Sequence, residues 1–487
     1  MAEKTLNLIM PGNPRYQPRA LQQFFGYDYL YTGLAKVEIA GLQVNAELGI
    51  IPARDIQQLT PQVIERLIAI PTTEVDRIEF DLTQHDVRAW IRRAQQILAE
   101  ISIAAESMGK WLHVPFTSYD PLDTGRIIQF VQAHQQALKP AIVEVVVLFA
   151  ELVRKYAGEL QIGRTHGQHA LPITIGFWLA TILNRIITNA KKMDEFAAQL
   201  VGKISGAVGA YNAQVGLGIS QRCADRTFEE MLLEKVGLKP ATISTQILPP
   251  EPLSYFLFSG LMLSAALGQF GLDCRQLMRT EIAEVAEEYE PGQVGSSAMP
   301  HKRNPLHFEN LEGQWRKSKW EFGKLFETLT SEHQRDLVGS SIMRDLPTTT
   351  INLMYQLSTL LRKDKKRQLP FLRRIAFDTK SCRRNFAMKG NVILGEPLYI
   401  ALLMAGYQGD AHDLANVRAV PLAIERGIQL IDAVYEIGRD EPEVAQALNA
   451  IPSEVIELLH HPEQYTGSAE DKAHHIADAA EAFVAAA

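Results

Sequence analysis

The sequence has few cysteines, no low-complexity tract and no strong excess of either charge. Its three cysteines, Cys223, Cys274 and Cys382, stand far apart among 487 residues, and none belongs to a CxxC pair. This spacing predicts neither a disulfide framework nor a thiolate metal site, and it fits a reducing, cytoplasmic compartment. The N-terminus also lacks the basic-then-apolar layout of a signal peptide. The formal net charge of −7 argues against a general nucleic-acid binder.

One uncharged segment resembles a membrane span by length alone. Residues 252–272 carry no charged side chain, and a spanning helix needs about 20 apolar residues. However, the segment contains three serines, a glutamine and three glycines, and no second span accompanies it. A helix that is apolar all round also occurs inside large soluble proteins. We therefore expect a buried core helix and no membrane partner.

The middle of the chain predicts very long helices. Apolar residues recur at steps of three and four from Ile175 to Leu200, which is typical of a bundle helix. Similar patterns run from Ile142 to Tyr156, Pro252 to about Glu287, Phe308 to Leu329 and Thr349 to Leu361. Helices of this length extend beyond one subunit core, so the bundle is expected to form the core of an oligomer.

These patterns predict an all-α fold in three domains, since 487 residues exceed what one hydrophobic core usually supports. The expected domains are a mainly helical N-terminal domain at 1–111, the central long-helix bundle at 112–362 and a helical C-terminal domain at 363–487. The basic stretch from Lys363 to Arg374 is interpreted as a solvated linker at the second boundary.

Three polar segments interrupt the apolar pattern. They are Phe116 to Thr124, Gly163 to Pro172 and the loop GSSAMPHKRNP at 295–305. Taken singly, each has an ordinary interpretation: a helix-capping turn, a helix–helix connection and a basic surface loop. Each could also take part in a reaction. The loop at 295–305, for example, could close over an anion. A zinc site at His166 and His169 would need a third ligand, and no HExxH pattern supplies one.

Together, the three segments resemble the signature regions of the fumarase/aspartase superfamily, which occur in this order. The AMPHKRNP form of the third segment is similar to that of the adenylosuccinate lyase family and of the related carboxymuconate cycloisomerases. The chain departs from the family pattern at Tyr119-Asp120-Pro121, where smaller residues are usual, at His169, where proline is common, and at Val338-Gly339.

The resemblance implies an anti β-elimination that releases fumarate from a succinyl-amine, with Ser296 as the base and His166 as the acid. It also implies that Glu309 orients His166, that no cofactor or metal is used, and that sites are shared between subunits of a homotetramer. The positions that match substrate-binding residues are Arg15, Tyr16, His85, Asp86, Thr117, Ser118, Thr165, Gln246, Lys302, Asn304, Arg335, Ser340 and Arg344.

The implied roles of these positions divide between the two ends of a nucleotide substrate. Lys302 and Asn304 would hold the succinyl carboxylates, and Thr117, Ser118 and Gln246 would assist there. His85 and Asp86 would lie near the phosphate or ribose. Five positions would bind the phosphate, because arginine forks match its oxygens: Arg15, Tyr16, Arg335, Ser340 and Arg344.

Three other functions compete with this one. The nearest is a carboxymuconate cycloisomerase or another fumarate-releasing lyase of the same superfamily. A catalytically silent scaffold is disfavoured, because Ser296, His166, Lys302 and Glu309 are all present. A zinc hydrolase has the weakest support from residue spacing.

Overall fold

The computed structural model describes residues 17–288, 299 and 301–487, which are predominantly α-helical, so the predicted all-α fold class is confirmed. The strands are short and form three separate pairs. Strand β1 (Leu160–Thr165) lies antiparallel to β2 (Gln168–Thr174), β3 (Val201–Gly202) parallel to β4 (Lys239–Pro240), and β5 (Val285–Glu287) antiparallel to β6 (Ile375–Phe377).

The first eight helices lie before residue 134. Hydroxyl caps begin two of them: the Ser102 hydroxyl accepts the Ala105 N–H at the seventh, and at the fourth Pro61 occupies the first turn and the Thr60 hydroxyl accepts the Val63 N–H. A core that includes Leu42, Trp90 and Leu98 packs among them. The helices are α1 (Gln22–Phe25), α2 (Thr32–Glu47), α3 (Ala53–Ile56), α4 (Pro61–Ile68), α5 (Thr72–Ile78), α6 (Asp86–Ile101), α7 (Ile103–Gly109) and α8 (Tyr119–Ala133).

The middle of the chain contains the five predicted long helices, α9, α10, α13, α14 and α16, and three short ones. Their bounds are α9 (Lys139–Lys155), α10 (Ile175–Ala197), α11 (Asn212–Gly216), α12 (Phe228–Lys235), α13 (Glu251–Leu277), α14 (Leu306–Gly323), α15 (Val338–Met343) and α16 (Pro347–Leu361).

Helix α13 ends ten residues before the predicted Glu287. Beyond Leu277 the backbone turns, and Ala283 adopts a left-handed φ of 53°. Val285 to Glu287 then pairs with Ile375 to Phe377. Pairing with a distant strand therefore overrides a local pattern that favours helix, because the strand's backbone groups gain partners there.

Helix α13 is also the one helix of the described residues that is long and apolar enough to cross a membrane by length and composition. Of its apolar window, 67% is buried inside the protein. Ser264 donates a buried hydrogen bond to Oε1 of Gln356 (2.7 Å), and Nε2 of Gln356 donates to the carbonyl of Leu311 (2.8 Å). This burial agrees with the expected core helix.

The last seven helices lie beyond residue 378. They are α17 (Thr379–Ala387), α18 (Gly395–Met404), α19 (Val420–Arg426), α20 (Leu430–Gly438), α21 (Pro442–Ala450), α22 (Ser453–His460) and α23 (Ala469–Ala486). Among them, α18 to α22 share a core around Leu402, Leu414 and Val434.

The described residues form two compact units. The first is made from 17–143, Thr188–Gly268 and Leu311–Thr359, and the second from Glu144–Ile187, Gln269–Asn310 and Leu360–Ala487 without the undescribed positions. The division into domains at 1–111, 112–362 and 363–487 stays a prediction.

Candidate active site

The predicted site residues fall on both units, and three of them, Arg15, Tyr16 and Ser296, lie outside the described residues. The first unit carries His85, Asp86, Thr117, Ser118, Gln246, Arg335, Ser340 and Arg344. The second unit carries Thr165, His166, Lys302, Asn304 and Glu309.

His85 and Ser118 meet at the N-termini of two helices. His85 is the N-cap residue of α6, and Ser118 is the N-cap residue of α8. The Ser118 Oγ lies 3.4 Å from Nε2 of His85, whose Nδ1 lies 3.3 Å from Oδ1 of Asp86. Helix N-termini present backbone N–H groups without intrahelical partners, which suits contacts with anions. This arrangement is compatible with the expected role of both side chains in substrate binding.

Arg335, Gln246 and Ser340 form a second group in the first unit. The Arg335 guanidinium donates from Nη1 to Oε1 of Gln246 (2.8 Å) and from Nη2 to Oγ of Ser340 (3.2 Å). Tyr119 completes the group: its hydroxyl lies 2.8 Å from Oγ of Ser340, and its ring centroid lies 3.3 Å from the guanidinium carbon. Arg335 thus joins Gln246, which the resemblance assigns to the succinyl end, to Ser340, which it assigns to the phosphate. Tyr119, which was not predicted, contacts Arg335 and Ser340.

A buried ion pair supports both groups. Nζ of Lys203 lies 2.6 Å from Oδ1 of Asp120, and neither side chain has exposed surface. Oδ2 of Asp120 also accepts the backbone N–H of Thr117 (2.7 Å), while Lys203 donates to the backbone carbonyl of Gln246 (3.0 Å). The pair therefore fixes the backbone at Thr117 relative to that at Gln246.

Asp120 and Lys203 were not among the predicted site residues. Both stand in segments that the sequence analysis could have singled out: an acid inside the first signature region, and a lysine beside Gly202 in an otherwise apolar and small-residue stretch. A fully buried lysine needs a partner of opposite charge. Lys203 was therefore the residue from which a buried ion pair could have been predicted.

Asp86 and Arg344 line one cavity of about 370 Å³ together with aromatic side chains. Among these, Tyr31 has a raised pKa because it is buried and because the carboxylates of Asp86 and Glu79 lie near it, while Arg344 acts in the opposite direction. Burial, followed by the charge of Asp86, also raises the pKa of Glu79. The cavity therefore combines an apolar wall with charged groups of both signs.

The second signature region forms a β-hairpin rather than an irregular helix–helix connection. Thr165 and Gln168 pair across strands β1 and β2, and the two residues between them form the turn. His166 and Gly167 have φ values of 54° and 75°. Left-handed conformations at both positions are typical of the tight turns that join antiparallel strands. The predicted acid His166 therefore stands exposed at the tip of the hairpin.

A buried carboxylate anchors this hairpin within the second unit. Glu284 has no exposed side-chain surface, and it accepts two hydrogen bonds from Arg164, at 3.1 Å and 2.5 Å. Gln161 and Asn385 also donate to it, at 2.9 Å and 2.8 Å. Paired hydrogen bonds between an arginine and a carboxylate fix the relative orientation of the two groups in addition to pairing their charges. Sequence reasoning missed Glu284, since its partners are more than 100 residues away along the chain.

The described part of the third signature region leads into α14. Lys302 is exposed, Asn304 is half-buried, and Glu309 is exposed in the first turn of the helix. Glu287 caps that turn by accepting the backbone N–H groups of His307 (2.8 Å) and Phe308 (3.1 Å).

No hydrogen bond or ion pair joins Glu309 to His166 within the described residues of this single chain, so the expected pairing stays a prediction. Nor do the described residues contain a group of three or more His, Cys, Asp or Glu side chains arranged to hold a metal ion.

Comparisons with known proteins show the family of this chain. Residues 19–317 match the Lyase family. The sequence is 28% identical over 474 residues to the adenylosuccinate lyase of Pyrococcus abyssi, covering 95% of this chain and 96% of the relative. It is 30% identical over 409 residues to the adenylosuccinate lyase of Bacillus subtilis, covering 83% of this chain and 88% of the relative.

Solved structures show the same fold. The 3-carboxy-cis,cis-muconate lactonizing enzyme from Pseudomonas putida has a TM-score of 0.76 at 22% identity and covers 96% of this chain and 98% of its own. The fumarate lyase from Mesorhizobium sp. BNC1 has a TM-score of 0.75 at 21% identity and covers 96% and 100%. With the sequence relatives, these likenesses confirm the resemblance to the fumarase/aspartase superfamily.

Proposed function

Since the chain belongs to the Lyase family of the fumarase/aspartase superfamily and is therefore a lyase, we propose that it cleaves adenylosuccinate to AMP and fumarate. The same elimination would convert the succinyl-carboxamide ribotide SAICAR to AICAR and fumarate. Both reactions belong to purine biosynthesis, and we place the enzyme in the cytoplasm.

One observation carries the choice of a phosphorylated substrate. Arg335, Ser340 and Gln246 are in direct contact in the first unit, at 3.2 Å and 2.8 Å from the guanidinium. Arginine presents five N–H donors in a planar fork, and two of them are used by these neighbours. The remaining donors suit the oxygens of a phosphate. A muconate carries only carboxylates, which arginine forks also match, so the similarity to adenylosuccinate lyases adds the preference for a phosphate.

In the proposed mechanism, Ser296 removes a proton from the carbon beside a carboxylate and His166 protonates the departing nitrogen. Lys302 and Asn304 hold the carboxylates as the carbanion forms. A serine hydroxyl is a weak base, so its ionised form needs backbone donors, a positive charge and exclusion of water. One well-placed donor is typically worth about 3–4 kcal/mol to the transition state.

We further propose that the enzyme is a homotetramer in which sites are shared between subunits. Its support is the exposure of large apolar side chains on two long helices of the first unit. Tyr255, Phe258 and Met262 recur at steps of three and four on α13, and Trp320 on α14 is 76% exposed. Apolar stripes of this kind mark contact surfaces between proteins.

An ultraviolet assay tests the proposed reaction. Purified protein in the presence of a chelator is expected to convert adenylosuccinate to AMP and fumarate. Turnover of a carboxymuconate alone would favour the cycloisomerase, and dependence on added metal would favour a hydrolase.

Two substitutions test the assignment of base and acid. Ser296→Ala and His166→Ala are expected to abolish turnover while leaving the oligomer intact, because each removes a group that moves a proton. Ser453→Ala and His475→Ala, on the exposed surface of the C-terminal helices, are matched controls and should retain full activity. Near-native rates in either of the first two variants would refute its role.

A further inference from the structure

Tyr119 is the one residue of the first signature region whose side chain touches two of the predicted phosphate ligands. Its side chain is buried, with 8% of its surface exposed. Its ring lies beneath the Arg335 guanidinium at 3.3 Å, and its hydroxyl lies 2.8 Å from Oγ of Ser340.

We propose that Tyr119 is a positioning residue that sets the plane of the Arg335 guanidinium and the direction of the Ser340 hydroxyl for binding the substrate's phosphate. This inference rests on the proposed function.

The ring contributes by restricting Arg335. A guanidinium over an aromatic face is attracted by the negative face of the ring, and the attraction increases when water is excluded. The separation of 3.3 Å between the guanidinium carbon and the ring centroid restricts the tilt of the guanidinium. Hydrogen bonds to Gln246 and Ser340 restrict its rotation. A guanidinium that is already oriented loses less conformational freedom when it binds an anion.

The hydroxyl contributes by orienting Ser340. Oγ of Ser340 already accepts a hydrogen bond from Nη2 of Arg335 (3.2 Å). When the Tyr119 hydroxyl also donates to Oγ, both lone pairs of the serine oxygen are used. The serine hydrogen is then available to donate to a phosphate oxygen. An anion at this position would favour that direction of the Tyr119–Ser340 hydrogen bond.

The surroundings strengthen both contacts. Tyr119, Arg335 and Ser340 line a cavity of about 70 Å³ whose other walls include Leu253 and Leu325. Asp123, Arg126 and Asp336 also line it, so charges of both signs face an anion there. The apolar part of the wall lowers the local dielectric constant, so a charge–anion contact is stronger there than in water.

Two variants separate the two contributions. Tyr119→Phe keeps the ring and removes the hydroxyl, so the KM for adenylosuccinate should rise about threefold to tenfold, the effect of one lost hydrogen bond. Tyr119→Leu removes the aromatic face as well and should raise KM about tenfold or more. In both variants kcat should stay within about twofold of wild type, because the reacting atoms are untouched. Tyr156→Phe, in the second unit, is the matched control.

A purely structural tyrosine would give a different result, with a lower unfolding temperature and an unchanged KM. Thermal unfolding of each variant is therefore measured beside the kinetics. An unchanged KM in Tyr119→Phe and Tyr119→Leu, or a loss confined to kcat, would overturn the inference.

Calorimetric titration with AMP and with inorganic phosphate separates this inference from the proposed function. Weaker binding of either probe to Tyr119→Phe supports the role of Tyr119, even if the wild-type protein fails to cleave adenylosuccinate. Equal binding to both proteins overturns the role of Tyr119, even if cleavage is confirmed. Failure of wild type to bind either probe also overturns it.

Discussion

Lys203 and Asp120 are residues whose importance comes from position rather than from contact with substrate. Their charges lie 2.6 Å apart with no exposed side-chain surface. Three backbone N–H groups, those of Thr117, Ser205 and Gly206, also point at the Asp120 carboxylate. Removing one charge of a buried pair leaves the other charge buried without a partner, which lowers the free energy of unfolding.

We expect Lys203→Met to lower the free energy of unfolding by about 3–5 kcal/mol, because it leaves Asp120 charged and buried without its partner. The measurement is chemical denaturation of both proteins. Lys235→Met is the matched control, since Lys235 pairs with Glu47 at the surface (2.6 Å) and exposed pairs contribute at most about 1 kcal/mol. Equal losses in the two variants would contradict this view of the buried pair.

At the scale of single residues, the resemblance named Gln246 for the succinyl end of the substrate and Arg335 and Ser340 for its phosphate. In the structure Arg335 contacts both Gln246 and Ser340, and the roles of all three stay predictions. The resemblance did not predict that Tyr119 or Lys203 joins them. Tyr119 and Ser340 lie 221 positions apart, and Lys203 and Gln246 lie 43 apart. Sequence spacing along one helix or strand says nothing about such pairs.

Among the elements, the β1–β2 hairpin carries His166 at its tip, and several contacts fix the strands on either side of it. Glu284 anchors Arg164 in β1, and His169 in β2 is the cross-strand partner of Arg164. Burial lowers the pKa of His169, and the nearby positive charge of Arg164 lowers it further. A protonated His169 would stand directly opposite a guanidinium, which destabilises a strand pair.

The lowered pKa of His169 predicts how stability depends on pH. Below the usual histidine pKa of about 6.5, the unfolded chain binds a proton that the folded chain does not. This contribution to stability is therefore complete above that value and is lost as the pH falls through the folded pKa. The midpoint of thermal unfolding should drop more between neutral and mildly acidic pH in wild type than in His169→Gln.

His475→Gln is the control for this measurement, since His475 lies on the exposed face of α23. Its unfolding midpoint should change with pH as that of wild type does. If the profiles of wild type and His169→Gln are parallel, His169 does not contribute to the pH dependence.

The long helices were the elements best predicted, because an apolar period of three and four repeats over many turns is difficult to produce otherwise. Helix α10 begins at Ile175, where its pattern begins. The hairpin and the end of α13 were not predicted. Both depend on strands that pair only when the chain has folded, and a short strand has no strong local pattern.

For the whole molecule, the distribution of site residues over two units bears on the proposed assembly. His166 belongs to the second unit and Arg335 to the first. If each site takes its signature regions from different subunits of a tetramer, two inactive variants altered in different regions can complement each other.

Co-expression of Ser296→Ala with His166→Ala tests this. In tetramers of random composition, about one quarter of the sites would receive an intact residue at both positions if these come from different subunits. We therefore expect activity near that fraction of wild type, measured with adenylosuccinate. Each variant expressed alone should remain inactive. Mixed tetramers with no activity would show that both residues of a site come from one chain.

The torsion angle of His166 limits which side chains can occupy the hairpin tip. With φ at 54°, this position accepts glycine, asparagine, aspartate or histidine far more readily than a β-branched residue. Of these four, imidazole alone is an ordinary proton donor near neutral pH. If His166 is the proposed acid, backbone geometry and proton chemistry restrict the same position independently, and histidine satisfies both requirements. Asparagine is then the substitution best suited to test the proposed proton transfer while preserving the turn.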